Sequence, residues 1–172
     1  HFCILNNTIM KHILIPTDFS IQSLQLAEQA INNLPASRLN ITLFHAFYLP
    51  YSEFELLLRD RKKPYTDLLT DSFRQACKQL KDKHAKKIQK ISFNFLEGST
   101  AAVFRNFADA NEIDLIFLSE HYKFKPVHKL SVDPVPLFKK SGIKIINEAV
   151  KIQTEKVLVA EQLPAAEFAI AG

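Results

Sequence analysis

Apolar runs at 11–16, 39–47, 91–95, 114–118 and 143–146 alternate with segments whose apolar residues recur every three or four positions. Strand and helix periods cannot be exchanged without turning apolar side chains into water, so this rhythm dictates repeated βα units. Five of them in succession, with no internal repeat or low-complexity stretch, predict a doubly wound α/β sheet with helices on both faces. At 172 residues the chain suits one domain of ordinary size.

The first run, Lys11 to Pro16, is closed by proline, and the turn Thr17-Asp18-Phe19-Ser20 leads into a helix. In that helix Ile21, Leu24, Ala27, Ala30, Ile31 and Leu34 share a stripe, Ser20 or Asp18 can cap the start, and Pro35 marks the end. The second strand is expected at Leu39–Phe47. Residues 48–64 break the rhythm and read as a variable connection with one short helix. A long helix is expected from Tyr65 to about Lys87. Ile91, Phe93 and Phe95 then alternate with Ser92 and Asn94 as in a strand with one polar face. Glu97-Gly98-Ser99-Thr100 turns into a helix carrying Val103, Phe104, Phe107 and Ala108. The continuous run Asp114–Leu118 fits a central parallel strand covered on both faces. A loop from Ser119 to about Lys129 precedes a short helix at Val135–Lys140, where Gly142 suits a C-cap, and a fifth strand at Ile143–Ile146. The domain is thus placed at 10–147, with 1–9 taken as upstream or added sequence and 148–172 as a C-terminal extension in which Val157–Ala160 can add a strand to a sheet edge.

Composition excludes several function classes. Only three glycines occur, where average usage would give about twelve. No G-x-G-x-x-G or Walker loop can be written, so a phosphate cradle of closely approaching glycine backbone is ruled out. Cys3 and Cys77 have neither knuckle nor disulfide-framework spacing, which fits a reducing compartment. No apolar run reaches the roughly 18 residues of a membrane span. The expectation is a cytoplasmic protein that engages neither membrane nor nucleic acid. The net charge of +4 adds no sign of polyanion binding, and the lysines at 78, 81, 83, 86, 87 and 90 scatter around their helix as a solvated face.

In open α/β sheets ligands bind beyond the carboxyl ends of the strands, where strand order reverses. The candidates there are Pro16, Thr17 and Asp18, then Ala46 and Phe47, then Ser119, Glu120 and His121. Asp18 can accept hydrogen bonds from a ribose or hold a cation, or it can serve the first-turn amides of the helix. Glu120, His121, His128 and Asp133 lack the spacing of a metal set and read as a polar loop. Ser119 with His121 lacks the G-x-S-x-G elbow of a hydrolase. His45 ends an apolar strand, where a ring nitrogen bonded to backbone is expected rather than a catalytic base. Phe47, Tyr48, Tyr51 and Phe54 either pack on the sheet edge or form an apolar pocket for a small molecule near Tyr48 and Tyr51. No catalytic residue, metal ligand or resident cofactor is expected.

Ile13-Leu-Ile-Pro-Thr-Asp-Phe-Ser20, the Leu43-Phe-His-Ala46 strand end, Glu97-Gly98-Ser99 and Asp114-Leu-Ile-Phe-Leu118 together resemble the universal stress protein family over about residues 10–147. The resemblance implies a five-stranded parallel sheet in the order 3-2-1-4-5 and a homodimer meeting at the fifth strands. Nucleotide-binding members carry G-x-x-G, nine residues, then G-[S/T] after the fourth strand. This chain has Ser119 and Tyr122 at the glycine positions and Leu130-Ser131 for the last pair, with only seven residues between. By resemblance Asp18 and Ser131 keep the nucleotide-contacting and phosphate-contacting positions, while Tyr122 and Leu130 put bulk where phosphate needs bare backbone. The site residues are thus Pro16, Thr17, Asp18, Ala46, Ser119 and Ser131. The expected role is a regulatory or protein-interaction homodimer without the usual ATP binding. The alternative is an ATP- or AMP-binding stress protein, with magnesium, in which Lys123, Lys125 and Lys129 join Asp18 and Ser131.

Overall fold

The computed structural model describes residues 9–34, 38–48 and 67–148. Six strands and four helices are described: β1 (Met10–Pro16), α1 (Leu24–Asn33) after a 3-10 turn at Ile21–Ser23, β2 (Arg38–Phe47), α2 (Asp71–Lys83), β3 (Ile88–Glu97), α3 (Ala101–Ala110), β4 (Leu115–Phe117), β5 (Ser131–Val132), α4 (Val135–Lys139) and β6 (Lys144–Ile146). The sheet runs β3-β2-β1-β4-β6, and all four pairings along that path are parallel. Counting the parallel strands in chain order, this is the expected 3-2-1-4-5 arrangement.

The centre of the sheet is the driest part, as the apolar runs require. Ile13, Leu14, Phe44, Ile116 and Phe117 are wholly inaccessible to solvent. One face carries α1 and α2, where Ile13, Ile15, Ile41 and Leu43 meet Ala27, Ile31, Phe73 and Leu80. The other face carries α3 and α4, where Leu14, Phe44 and Ile116 meet Phe104, Leu137 and Phe138. Alternate residues of one strand therefore serve opposite cores. The direction of the connections changes between β1 and β4, which puts the switch point at their carboxyl ends.

Local chemistry sets the helix bounds. Thr70 caps α2 by accepting from the Phe73 amide at 3.2 Å, and Thr100 caps α3 through Val103 at 3.3 Å. The helix expected from Tyr65 to Lys87 is shorter as described, because the Thr70 cap starts it and β3 begins at Ile88. Leu68 and Leu69 still pack on the core from the preceding turn, which explains their helix-like spacing. Gly98 is buried, donates its amide to Phe47 O at 2.8 Å and has φ of +153°. A Cβ there would come within 3.0 Å of Val103 Cγ1.

One strand was not foreseen. β5 pairs antiparallel with β2, Ala46 opposite Val132 and Phe47 opposite Ser131. β3 already occupies the other edge of β2 at those residues, so β5 takes the edge that β1 leaves at Pro16. The short helix expected within 48–64 and the segments 1–8 and 149–172 lie outside the described residues, as do Tyr51 and Phe54.

Candidate functional site

At the exit of β1 a tight turn uses up most of its own polar groups. The Thr17 amide donates to Phe44 O at 2.9 Å, continuing the sheet by one residue. The Thr17 hydroxyl accepts from the Phe19 amide at 3.0 Å and lies 2.7 Å from Ser23 Oγ, whose own proton goes to Ser20 O. Asp18 Oδ1 accepts from both the amide and the hydroxyl of Ser20, at 3.0 and 2.5 Å. Ser20, not Asp18, caps the 3-10 turn, through Ser23 N. Asp18 braces that cap, and among the described residues nothing donates to its Oδ2. Phe19 closes the turn at φ +61°, a conformation a non-glycine residue holds only when its surroundings impose it. Its buried ring contacts those of His45, Phe73 and Phe95.

At the exit of β2 the strand end is sealed. Buried His45 lies with Nδ1 2.8 Å from Thr17 O and Nε2 3.0 Å from Ser131 Oγ. A carbonyl can only accept, so Nδ1 carries the proton. Ser131 Oγ already accepts from the Val127 and His128 amides at 3.2 and 3.1 Å, so its hydroxyl donates to Nε2. His45 is therefore the neutral Nδ1–H tautomer. Burial lowers its pKa, opposed by the Thr17 carbonyl and the Asp18 charge. The rings of Phe19, Phe47 and Phe124 pack around it, and His128 packs on Phe47. A Ser–His contact of this length could suggest a nucleophile and its base, but this hydroxyl's lone pairs are both engaged and it lies off the cavity described below.

The loop after β4 turns its backbone donors inward. Ser119 Oγ donates to Glu148 Oε1 at 2.6 Å, and the Glu120 amide reaches Glu148 Oε2 at 3.3 Å. The hydrogen bond from Ser119 holds the Glu148 carboxyl below its ordinary pKa. The His121 and Tyr122 amides go to Ser119 Oγ and Ser119 O, and that of Leu130 goes to His128 Nδ1. Leu130 O accepts from the Tyr48 amide at 2.7 Å. Burial pushes the Tyr122 phenol well above its ordinary pKa, with the Asp133 and Asp18 carboxylates adding to the effect.

Between the β1 turn, α1 and this loop lies a cavity of about 380 Å³. Pro16, Thr17 and Asp18 line it from β1, Gln22, Gln25 and Gln29 from the first helical turns, and Ser119, Tyr122, Lys123 and Lys125 from the loop. Four expected site residues, Pro16, Thr17, Asp18 and Ser119, therefore share one cavity with two of the three loop lysines. Ala46 and Ser131 are brought together elsewhere, in the β2–β5 corner, and Lys129 is not part of the wall. Tyr122 lines the cavity without filling it, and Leu130 belongs to the sealed corner.

The glutamine stripe, the Ser131–His45 bond and the Glu148 contact escaped sequence reasoning. Only the stripe had a signal, its spacing of three and four residues. Among the described residues no group of three or more His, Cys, Asp or Glu side chains converges as a metal site, which includes Glu120, His121, His128 and Asp133. No described helix is long and apolar enough to cross a membrane.

Solved structures of similar fold include a hypothetical protein whose biochemical function was assigned from its structure. It is 19% identical, with a TM-score of 0.48, over 80% of this chain and 94% of that one. Others are a universal stress protein in complex with cAMP (18% identity, TM-score 0.43, 80% and 95% covered) and the universal stress protein of Archaeoglobus fulgidus (14%, 0.44, 81% and 93%). A search of curated proteins gave no match. The profile of the universal stress protein family matches residues 10–123, more than half of the chain. With the strand order and the switch-point cleft already in place, that match makes this chain a member of the universal stress protein family.

Proposed function

We propose that this chain is a non-enzymatic, stress-linked binding protein whose ligand belongs to the nucleotide class and sits in the cleft beside Asp18. The supporting observation is the cavity of about 380 Å³ at the β1–β4 switch point, the place where open α/β sheets hold ligands. Its size falls within the roughly 300–1,000 Å³ common for small-molecule sites. Lys123 and Lys125 offer charge to an anionic group, and Asp18 Oδ2 offers an acceptor to a sugar hydroxyl or an amine. Family membership favours the same class.

The family's ATP pose, with phosphates wrapped by glycine backbone, is not the one used. Ser119 and Tyr122 carry side chains at those positions, and the loop amides of Glu120, His121 and Tyr122 are engaged internally. Asp18 is the only carboxylate in the described cavity wall, so a magnesium ion would arrive with the ligand's phosphates rather than be held by the chain. A cytoplasmic setting belongs to the same reading and suits the buried free thiol of Cys77.

Calorimetry and thermal shift with AMP and ATP, with and without magnesium, test it. At least one nucleotide raises the melting temperature, and Gln25→Trp, which fills the cavity from an exposed helix position, removes the rise. If no nucleotide stabilises the protein, the reading is wrong. A second reading concerns assembly: β6 has no strand beyond it among the described residues, and an open sheet edge favours pairing with a second copy. Light scattering that gave a monomer mass at every concentration would remove it.

A further inference from the structure

We infer that the cleft selects a phosphate monoester of a ribose-type body over a triphosphate. This rests on the reading above that the cleft takes a nucleotide-class ligand, and it narrows that class by counting charges and donors around the cavity. Two cations, Lys123 and Lys125, line the wall, and among the described residues neither has a carboxylate within ion-pair distance. With Asp18 in the same wall the two lysines leave a net charge of about +1, against which a phosphate monoester brings about −1.5 to −2 near neutral pH. A triphosphate brings roughly twice that charge and needs further donors to replace its water.

Those donors are spent. Ser119 Oγ, the hydroxyl that the loop after β4 brings to the cavity wall, and the neighbouring Glu120 amide already hold the Glu148 carboxylate. The chain's own anion, itself outside the cavity wall, thus takes donors that a second phosphate would need. The next two amides along the loop close back on Ser119. Lysine supplies charge but not an ordered ring of N–H groups, so it cannot make up for them.

The rest of the wall suits an uncharged, hydroxyl-rich body. Gln22, Gln25 and Gln29 line the cavity along one stripe of the first helical turns, and no described group bonds their carboxamides. Each offers one acceptor and two donors. Together with Asp18 Oδ2 they match a diol or a base edge, and they add no charge that would favour a polyanion.

The test is a calorimetric titration of the full chain in 150 mM salt with AMP, ATP, adenosine and ribose 5-phosphate, each with and without magnesium. AMP is expected to bind about tenfold more tightly than ATP or adenosine, a preference equal to one good charged contact. In Lys123→Gln/Lys125→Gln, both exposed positions, AMP should weaken to the level of adenosine while adenosine itself is unchanged. Ribose 5-phosphate binding close to AMP also supports the inference and assigns the glutamines to sugar hydroxyls. ATP binding as tightly as AMP, or an unchanged preference in the double variant, overturns the inference and leaves the nucleotide reading intact. If none of the four binds, the nucleotide reading falls with it.

Discussion

Two corners at the same end of the sheet have opposite fates. Around β2 the chain closes on itself: His45, Ser131 and a ring of phenylalanines fill the strand end, and every polar atom of the His–Ser pair has a partner. Around β1 and β4 it stays open, with exposed glutamines and lysines bordering a cavity. Residues that the family resemblance assigned to one site are thus split between a structural joint and a cleft. Kinship can carry a residue type to a position while the local packing gives it different work.

The largest effect tests that division. Ser131→Ala leaves the His45 ring nitrogen and two amides without their shared partner, and should cost about 2–3 kcal/mol in chemical denaturation. Ligand affinity should hardly change, because Ser131 is off the cavity. A variant that folds with normal stability but has lost its ligand would put Ser131 back in the binding site and erase the contrast. Asp18 should behave in the reverse way. Asp18→Ala removes the brace of the Ser20 cap for about 1 kcal/mol, while Asp18→Asn keeps an acceptor for the Ser20 amide and loses only a few tenths. Both should weaken AMP binding, so a ligand effect confined to the alanine variant would limit Asp18 to a role in the turn.

A smaller effect is a slope. The folded-state pKa of His45 lies below its ordinary 6.5, so the unfolded chain binds more protons as the pH falls through that value. Stability from this group is complete above about pH 6.5 and declines towards pH 5. Melting temperatures between pH 7.5 and 5.5 should show the fall, and His45→Gln should flatten it. An identical slope in the variant would assign the titration elsewhere. Least of all should change at Cys77, whose thiol burial raises to about 11. Alkylating reagents at pH 8 should leave Cys77 unmodified in the native protein and label it only on unfolding.

The sheet was legible because its strands are apolar runs long enough to stand out, and Asp114–Leu118 reads as buried on both faces before any contact is known. The bounds of α2 were less so, because Leu68 and Leu69 have helical spacing while serving the core from a turn. β5 had no local signal at all. Two residues, Ser131 and Val132, become a strand only because the edge of β2 is vacant beyond Pro16. The site divides along the same line. Asp18 and the loop lysines follow from chain order and the switch-point rule, but the partnership of His45 with Ser131 spans 86 positions and that of Ser119 with Glu148 spans 29. No periodicity encodes such pairs.

The shared edge of β2 also bears on the order of assembly. β1 reaches it across one short helix, whereas β5 must return from beyond β4 to a berth bounded by β1 on one side and the Tyr48 amide on the other. Closing the longer loop costs more chain entropy and brings only a two-residue ladder, so the His45 corner should be the last part of the sheet to zip up. In hydrogen exchange it should likewise be the first to breathe, with the Ser131 clasp opening while the centre of the sheet stays protected.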